Sequence, residues 1–242
     1  MKLRERLARI FAFLSYSTKW RCNGCGKENF NGKFFCDDCE SRLPYNDGAI
    51  CEHCGRALKT SAKYCSTCKA RLVSSDKARS IFIYDKPIST LVKKAKYDNA
   101  KYAFDYFAEK LAYICLKEFG NTEVITFVPM TEKRRRSRGY NQSEILARKT
   151  AKICGINFCD CLVKTKETLR QAQLGKEKRL NNLKGTFKVK DKNLVKGKNV
   201  TVVDDVSTTG ATGEVIAETL KKAGALRVFL LTVASVPPKD GY

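Results

Sequence analysis

The chain has 242 residues, and its 47 Lys and Arg against 25 Asp and Glu give a formal net charge of +22. A chain of this length can bury a sizeable core and hold one or two domains. No apolar run reaches the roughly 18 residues that a membrane-spanning helix needs, so the sequence predicts no such span. The basic excess favours polyanionic partners such as nucleic acids or phosphorylated substrates, although a basic protein without such a partner has the same composition.

The cysteine content indicates metal binding. Eight of the 12 cysteines fall into four Cys-x-x-Cys pairs, and this spacing is typical of metal sites, whereas disulfide frameworks belong to oxidising compartments. We therefore expect the protein to act in a reducing compartment, the cytoplasm. Disulfides or free thiols are the alternative interpretation of the same residues.

The N-terminal segment, residues 1–19, is predicted to be an amphipathic helix with basic residues beside an apolar stripe. Its continuous apolar run, residues 10–14, is shorter than the core of a secretory signal peptide. We expect this helix to dock on the protein's own core, and a contact with a membrane surface is the alternative. The apolar stripe consists of Leu3, Leu7, Ile10, Phe11 and Leu14.

Residues 20–72 carry the four cysteine pairs. A Cys-x-x-Cys pair bends the chain so that both thiolates face one tetrahedral ion, and a second pair completes the site. Ten residues separate the first pair from the second, and ten separate the third from the fourth. Sequential pairing gives a double zinc ribbon, and crossed pairing of first with third and second with fourth also fits the spacing. The predicted ligands of two structural zinc ions are Cys22, Cys25, Cys36, Cys39, Cys51, Cys54, Cys65 and Cys68.

Zinc binding is expected to fold this region, at about 10 kcal/mol per site, because few of its residues could form a core. His53 is the only histidine and lies inside the third pair. We expect it to be a turn residue, since the cysteines already fill four positions at each ion. Zinc ribbons bind nucleic acid, bind protein or brace a neighbouring domain, and the sequence does not choose among these roles.

Residues 80–238 are predicted to form an α/β domain, after a polar linker at residues 73–80. Its predicted strands and helices alternate, which implies a mostly parallel sheet covered by helices on both faces. Runs of β-branched and aromatic residues predict strands at 81–84, 124–128 and 227–234, and apolar residues at helical spacing predict helices at 88–97 and 104–115.

A basic segment follows the strand predicted at 124–128. We expect a loop over residues 129–142 that leaves the strand end and feeds a helix. Loops at the carboxyl edge of a parallel sheet bind ligands, and clustered arginines suit pyrophosphate or nucleic-acid phosphates. A solvated charged face is the alternative. The candidate phosphate-binding residues are Arg134, Arg135, Arg136 and Arg138.

A polar stretch from residue 168 to residue 187 is both basic and rich in side-chain amides. This composition suits a mobile flap over a phosphate site. The candidate flap residues are Gln171, Arg179 and Asn182.

The most informative stretch is residues 200–212, which predicts a buried strand, a tight loop and the start of a helix. Two adjacent carboxylates, Asp204 and Asp205, end the strand, and small hydroxyl residues surround Gly210. A loop of this kind presents backbone N–H groups and the positive end of the helix dipole to a phosphate. The two carboxylates can accept hydrogen bonds from the hydroxyls of a ribose on that phosphate. An ordinary strand end with capping residues is the alternative.

This stretch resembles the phosphoribosyl pyrophosphate (PRPP) signature of type I phosphoribosyltransferases, and it lacks the Gly-Lys-Ser/Thr end of a Walker A loop. The resemblance implies that the two acids hold the ribose hydroxyls at the catalytic centre and that the loop holds the 5-phosphate. It also implies that Mg²⁺ accompanies PRPP. The implied PRPP-binding residues are Asp204, Asp205, Val206, Ser207, Thr208, Thr209, Gly210, Ala211 and Thr212.

Nearly the whole chain resembles the ComF family of competence proteins. The resemblance covers the zinc knuckles, the Arg-Gly-Tyr-Asn-Gln sequence at 138–142, the Gln/Arg/Asn stretch and the PRPP motif, in that order. It implies a double zinc ribbon before a type I phosphoribosyltransferase-like domain. It also implies a role in natural transformation, in which the protein handles imported single-stranded DNA together with DNA-uptake proteins. An active phosphoribosyltransferase of nucleotide metabolism and a PRPP-sensing regulator without chemistry are the alternatives.

Overall fold

The computed structural model describes residues 21–59, 62–70, 73–97, 102–166 and 185–237. The chain divides into two compact units, residues 1–43 and 44–242. The helix expected at 1–19 and the flap residues Gln171, Arg179 and Asn182 lie outside the described residues. The domain limits expected at 20–72 and 80–238 stay predictions. In the described parts of the chain, no helix has the length and apolarity that crossing a bilayer requires.

The described part of the first unit is a small ribbon around the first four cysteines. The backbone turns back at Gly26, whose φ of +72° suits glycine, and the Gly26 N–H donates to the carbonyl of Cys22 at 2.9 Å. A short helix, α1 (Asp37–Ser41), follows the third cysteine. The Phe35 side chain is buried beside the knuckle, where a side chain at Gly24 would meet it.

The second unit begins with a ribbon of the same design and continues into the α/β domain. The ribbon contains α2 (Ser66–Lys69). The elements after it are β1 (Lys77–Ile83), α3 (Ile88–Tyr97), α4 (Ala103–Glu118), β2 (Val124–Phe127), α5 (Glu132–Arg138), α6 (Gln142–Cys154), β3 (Asn157–Phe158), β4 (Leu162–Lys164), β5 (Phe187–Val189), β6 (Asn199–Ser207), α7 (Ala211–Lys222) and β7 (Arg227–Ser235).

Five strands form a parallel sheet in the order β1-β7-β6-β2-β3, and β4 pairs with β5 in a separate antiparallel ribbon. The predicted fold class, a parallel sheet flanked by helices with a small double zinc ribbon, is confirmed. β6 occupies the centre because its β-branched residues are buried on both faces. All five strands are parallel, so their carboxyl ends lie along one edge of the sheet.

The two faces of the sheet are covered by different helices. On one face Val215, Ile216 and Leu220 of α7 share a core with Val202 of β6 and Leu230 of β7. On the other face α4 and α6 pack against the sheet and each other. The Phe119 ring, just after α4, stacks on the Phe229 ring with centroids 4.8 Å apart. Burial on both faces explains why the strands are continuously apolar rather than alternating.

Three elements differ from the sequence-based expectation. β6 continues past Asp204 and Asp205, which were expected to end it, as far as Ser207. β1 begins at Lys77, inside the predicted linker, because its backbone pairs with β7 from Lys77 opposite Phe229 onward. The predicted basic loop contains the helix α5, which the Thr131 side chain caps by accepting from the Arg134 N–H, and which ends at Gly139 with a φ of +82°. Thr131 and Gly139 therefore mark the two ends of a helix that the basic composition of residues 129–142 did not indicate.

The second ribbon packs directly on β1, the edge strand of the sheet. The Ala78 N–H donates to the carbonyl of His53 at 2.7 Å. Gly55 approaches so closely that a Cβ there would lie 2.5 Å from the carbonyl oxygen of Ala78. The Asn46 amide donates to the carbonyl of Gly55 at 2.6 Å and to the Ser80 hydroxyl at 2.8 Å. The ribbon thereby covers an edge that would otherwise expose unpaired backbone groups.

Glu214, in the first turn of α7, joins the phosphate-loop helix to the segment that leaves the ribbon. Its carboxylate accepts from the backbone N–H of Ser74 at 2.6 Å and of Ser75 at 3.2 Å. It also accepts from the Ser75 hydroxyl and lies 3.8 Å from the ring nitrogen of His53. Burial alone would raise the pKa of Glu214, but the hydrogen bonds of His53, Ser75 and Ser74 outweigh it, and the pKa falls below its ordinary value.

We expect Glu214→Gln to lower the free energy of unfolding by about 1 to 2 kcal/mol at pH 7, because a charge-assisted acceptor becomes neutral. The pKa of Glu214 is lower in the folded state than its ordinary 4.5. Its stabilising contribution is therefore complete above that ordinary value and is lost as the pH falls through the folded pKa. Thermal denaturation across this pH range should show the difference between wild type and variant shrinking toward acid.

Glu218→Gln is the matched control, because Glu218 lies on the same helix and its partner, Lys222 at 2.6 Å, is on the exposed surface. This variant should change stability by less than about 0.5 kcal/mol. Equal destabilisation by the two variants would show that Glu214 does not hold the ribbon segment to α7.

Candidate functional site

The candidate site is a cavity toward the carboxyl edge of the sheet, lined by parts of β1, β6 and β7 and by the start of α7. Its volume is about 80 Å³. Parallel α/β sheets bind ligands at this edge. The structure brings most of the predicted PRPP-binding residues together here: the lining includes Asp204, Val206, Ser207, Thr208, Thr209, Gly210, Ala211 and Thr212.

The two predicted acids are placed differently. Asp204 lines the cavity, and its Oδ1 accepts from the Ser143 hydroxyl at 2.7 Å and from the Asp205 N–H at 2.9 Å. Ser143 lies in the first turn of α6, so this bond fixes the carboxylate from a neighbouring element. Asp205 is not among the lining residues, and its Oδ1 accepts from the Val206 N–H at 2.6 Å. Successive strand residues point to opposite faces, which explains the difference.

Residues 207–212, called the phosphate loop here, open α7. Gly210 is the N-cap, with a φ of +77° that other residues rarely adopt. The Thr209 hydroxyl accepts from the Ala211 N–H at 3.4 Å. α7 has 12 residues, and its N-terminal N–H groups and dipole favour an anion at this end. The loop therefore has the geometry of an anion-binding helix start.

Arg56, from the second ribbon, also lines this cavity. The residue is only 5% exposed, and its Nε has no hydrogen-bond partner among the described residues. Its Nη2 lies 3.0 Å from the point that a Cβ at Gly210 would occupy, directly against the phosphate loop. Among the described residues, no carboxylate lies within ion-pair distance of this guanidinium. A buried cation thus faces an anion-binding loop.

The arginine segment, Arg134, Arg135, Arg136 and Arg138, is not part of the cavity lining. It lies on α5, which starts after β2 at the same edge of the sheet. Arg135 pairs with Glu144 at 3.6 Å, and Arg138 donates to the Gln142 side chain at 3.0 Å. Arg134 and Arg136 are exposed. The segment forms a basic surface near the cavity.

The eight paired cysteines form two compact groups. The Sγ atoms within each group lie within 4.8 Å of one another, which fits tetrahedral coordination of one structural zinc ion per group. The pairing is sequential, first pair with second and third with fourth, so the crossed alternative does not occur. The groups are Cys22, Cys25, Cys36 and Cys39, and Cys51, Cys54, Cys65 and Cys68.

Backbone N–H groups prepare each cysteine group for a metal. The Cys36 N–H donates to Cys22 Sγ at 3.2 Å, and the Cys65 N–H donates to Cys51 Sγ at 3.4 Å. Burial raises the pKa of Cys22, but bonds from the backbone of Cys36, Cys25 and Gly24 outweigh it and lower the pKa to about 6. Such bonds favour the thiolate that zinc needs and orient it toward the ion.

Sequence reasoning missed three residues of this site. Arg56 follows a cysteine knuckle and has no motif of its own, and Ser143 and Glu214 are ordinary first-turn residues of their helices. Each gains its role from a contact with a distant part of the chain: Gly210, Asp204 and Ser75 respectively. The signal that could have pointed to Arg56 is its place beside the third cysteine pair, in a ribbon that could brace a neighbour.

Comparison with known proteins agrees with this architecture. A family model described as "Double zinc ribbon domain" matches residues 16–69. Competence protein F of Haemophilus influenzae is 31% identical over 211 residues, which are 84% of this chain and 85% of that protein. DNA utilization protein YhgH of Escherichia coli K12 is 28% identical over 60% of this chain and 66% of that protein. The chain belongs to the competence protein F family.

Among solved structures, the chain is similar to a purine phosphoribosyltransferase from Pyrococcus horikoshii, with 27% identity, a TM-score of 0.36 and coverage of 55% of this chain and 74% of that one. It is also similar to the glutamine PRPP amidotransferase from B. subtilis, with 24% identity and a TM-score of 0.38. That match covers 54% of this chain and 26% of the amidotransferase. At these TM-scores the likeness is partial.

We expect two zinc ions per chain in protein purified without chelators, measured by elemental analysis. Double variants test the sequential pairing. Cys22→Ser with Cys36→Ser removes two ligands of one site and should lose one ion, whereas Cys22→Ser with Cys51→Ser breaks both sites and should lose two. The crossed pairing predicts the reverse result, and protein without zinc would contradict both.

Proposed function

We propose that the cavity binds PRPP with Mg²⁺, and that the protein handles single-stranded DNA during natural transformation in concert with DNA-uptake proteins. The observation that carries the first part is the meeting of Asp204 and the phosphate loop in one cavity. The names of the relatives, competence protein F and DNA utilization protein, support the second part.

The geometry supports PRPP because the cavity offers complementary groups for two of its parts. Asp204, held by Ser143, suits ribose hydroxyls, since a carboxylate accepts charge-assisted hydrogen bonds. The phosphate loop suits the 5-phosphate at the start of α7. Asp205 completes the pair of acids that the family resemblance assigns to the catalytic centre. The proposal therefore includes all nine residues of the motif.

Mg²⁺ would be brought by the ligand rather than held in a site of protein oxygens alone. It prefers oxygen ligands, keeps several waters and binds readily to substrate phosphates. PRPP provides ribose and pyrophosphate oxygens of this kind. The ion would offset the charge of the pyrophosphate, and the carboxylate of Asp204 in the cavity lining is compatible with such a cation.

We propose that DNA binds to the basic surfaces. Basic residues of the ribbons and of the arginine segment would contact the phosphates of the DNA strand. Base stacking requires exposed aromatic rings. Among the aromatic residues of the ribbons, Phe30 is 68% and Tyr64 is 38% exposed, whereas Phe35 is 1% exposed and cannot stack on a base. Unpaired bases expose their faces, so stacking would favour single strands over duplex DNA.

Two other functions use the same cavity. An active phosphoribosyltransferase would transfer the ribose phosphate to a base or another nitrogen nucleophile, and a PRPP-sensing regulator would bind PRPP without turnover. Pyrophosphate release during incubation with PRPP, Mg²⁺ and a panel of bases distinguishes them. The flap proposed at Gln171, Arg179 and Asn182, which lie outside the described residues, would serve either function. The intact motif favours ligand binding in all three cases.

PRPP binding should require Mg²⁺ and should weaken by about 10- to 100-fold in Asp204→Asn with Asp205→Asn, because two charge-assisted acceptors are removed. Isothermal titration calorimetry measures the affinity. The single variants separate the acids: Asp204→Asn should account for most of the loss, since only Asp204 lines the cavity. Equal affinity in wild type and double variant would overturn the assignment.

Replacement of Arg134, Arg135 and Arg136 by Ala should weaken single-stranded DNA binding and flatten its dependence on salt, by about 0.7 in log–log slope for each DNA phosphate that the protein no longer neutralises. Fluorescence anisotropy with a labelled oligonucleotide at several salt concentrations measures both. Lys188, Lys192 and Lys196 are exposed lysines that precede the amino end of β6, and their triple Ala variant is the control of equal charge.

The same arginine variant shows which phosphate the segment serves. Loss of PRPP binding with unchanged DNA binding would assign it to the pyrophosphate alone. Unchanged affinity for both ligands would show that the arginine segment is a solvated face. An equal loss of DNA binding in the lysine control would show that the arginine segment acts only through the net charge of the protein.

A further inference from the structure

The two ribbons repeat one design, and the second contributes a cation, Arg56, to the lining of the cavity. The Cys22 N–H donates to the carbonyl of Lys27 at 2.9 Å, and the Cys51 N–H donates to the carbonyl of Arg56 at 2.9 Å. Lys27 and Arg56 therefore occupy the same position after the first cysteine of their ribbons. Lys27 is exposed, whereas Arg56 is 5% exposed.

The backbone next to Arg56 is held against the sheet by two contacts of Gly55. Gly55 lies against the carbonyl of Ala78, where no side chain would fit, and its own carbonyl accepts from the Asn46 amide at 2.6 Å. The same amide bonds Ser80, whose hydroxyl lies 2.8 Å from that of Ser235 at the end of β7. The ribbon backbone is thus tied to β1 and β7, which line the cavity.

A buried guanidinium without an anion is costly, and native proteins rarely keep one unless a partner binds there. In the part of the chain that the structure describes, the Arg56 Nε has no hydrogen-bond partner, and the guanidinium lies against the phosphate loop at Gly210. The start of α7 attracts anions from one side, and Arg56 attracts them from the other. A phosphate between them would satisfy the loop N–H groups and the guanidinium together.

We propose that Arg56 binds the phosphate monoester held by the phosphate loop, so that the second zinc site, but not the first, sets the affinity of the cavity for phosphate. The inference rests on the proposed phosphate site and adds a ligand from the zinc ribbon to it. Zinc at Cys51, Cys54, Cys65 and Cys68 orders the backbone that carries Arg56. The ribbon is then a part of the binding site as well as a brace.

Arg56→Met tests the inference, because Met keeps an apolar stem of similar length and removes the charge. Titration calorimetry with ribose 5-phosphate and with PRPP and Mg²⁺ should show about a 10- to 100-fold loss of affinity. Lys27→Met, at the matching position of the first ribbon, makes the same change in net charge and should bind like wild type.

Thermal stability without ligand shows whether Arg56 has a structural role instead. If the charge of Arg56 is unpaired until a phosphate binds, the Arg56→Met variant should melt at the wild-type temperature or above it. The increase in melting temperature that ribose 5-phosphate causes in the wild type should then be absent from the variant. If Arg56 only offsets the negative charge of the four-thiolate site, the variant should melt lower and bind ribose 5-phosphate as wild type does, which would overturn the inference.

The zinc dependence is tested separately. Cys68→Ser should lower the affinity for ribose 5-phosphate, whereas Cys39→Ser, the corresponding change in the first site, should leave it within about twofold of wild type, a difference of about 0.4 kcal/mol. Equal effects of the two variants would contradict control by the second site.

The outcomes also separate this inference from the proposed function. Wild-type binding of PRPP that Arg56→Met leaves unchanged would overturn the inference and keep the function. If ribose 5-phosphate binds and its binding depends on Arg56, but PRPP does not bind, the inference is kept and the proposed function is overturned. Wild-type protein that binds neither ligand would overturn both.

Discussion

The contact between Gly55 and the carbonyl of Ala78 is the constraint on which the site depends. The distance leaves no room for a Cβ, so the second ribbon lies directly on the backbone of the edge strand β1. The hydrogen bond from Ala78 to His53 and the bonds of Asn46 hold the same surfaces together. This docking brings a residue of a zinc-stabilised loop to the carboxyl edge of the sheet, where parallel folds bind their ligands.

The functional consequence is that folding of the ribbon and formation of the cavity are linked. The ribbon has little apolar core, so we expect its order to depend on zinc. The α/β domain has its own core and positions Asp204 and the phosphate loop without the ribbon. Arg56 and Glu214 connect the two, one through the cavity and the other through Ser74 and Ser75. Zinc at the second site would therefore affect ligand binding through these residues.

Local patterns in the sequence were sufficient for the fold and for the groups that act close together in the chain. The buried strand β6, the hydroxyl-rich loop with Gly210 and the cysteine pairs are local signals, because strand, turn and metal-ligand preferences act over a few residues. The position of Arg56 could not be predicted, since the phosphate loop that it lies against is distant in the chain and its neighbour Gly55 resembles any knuckle glycine. The sequential pairing of the cysteines and the helix α5 likewise required the three-dimensional arrangement. The roles of the site residues in ligand binding stay predictions.

A crystal structure of the zinc-loaded protein with PRPP and Mg²⁺ tests the central claim most directly. We predict the 5-phosphate on the backbone N–H groups of residues 207–212, the ribose hydroxyls at Asp204, and the guanidinium of Arg56 within about 3 Å of a phosphate oxygen. A 5-phosphate bound elsewhere, or an Arg56 side chain that remains apart from a phosphate seated in the loop, would contradict this claim.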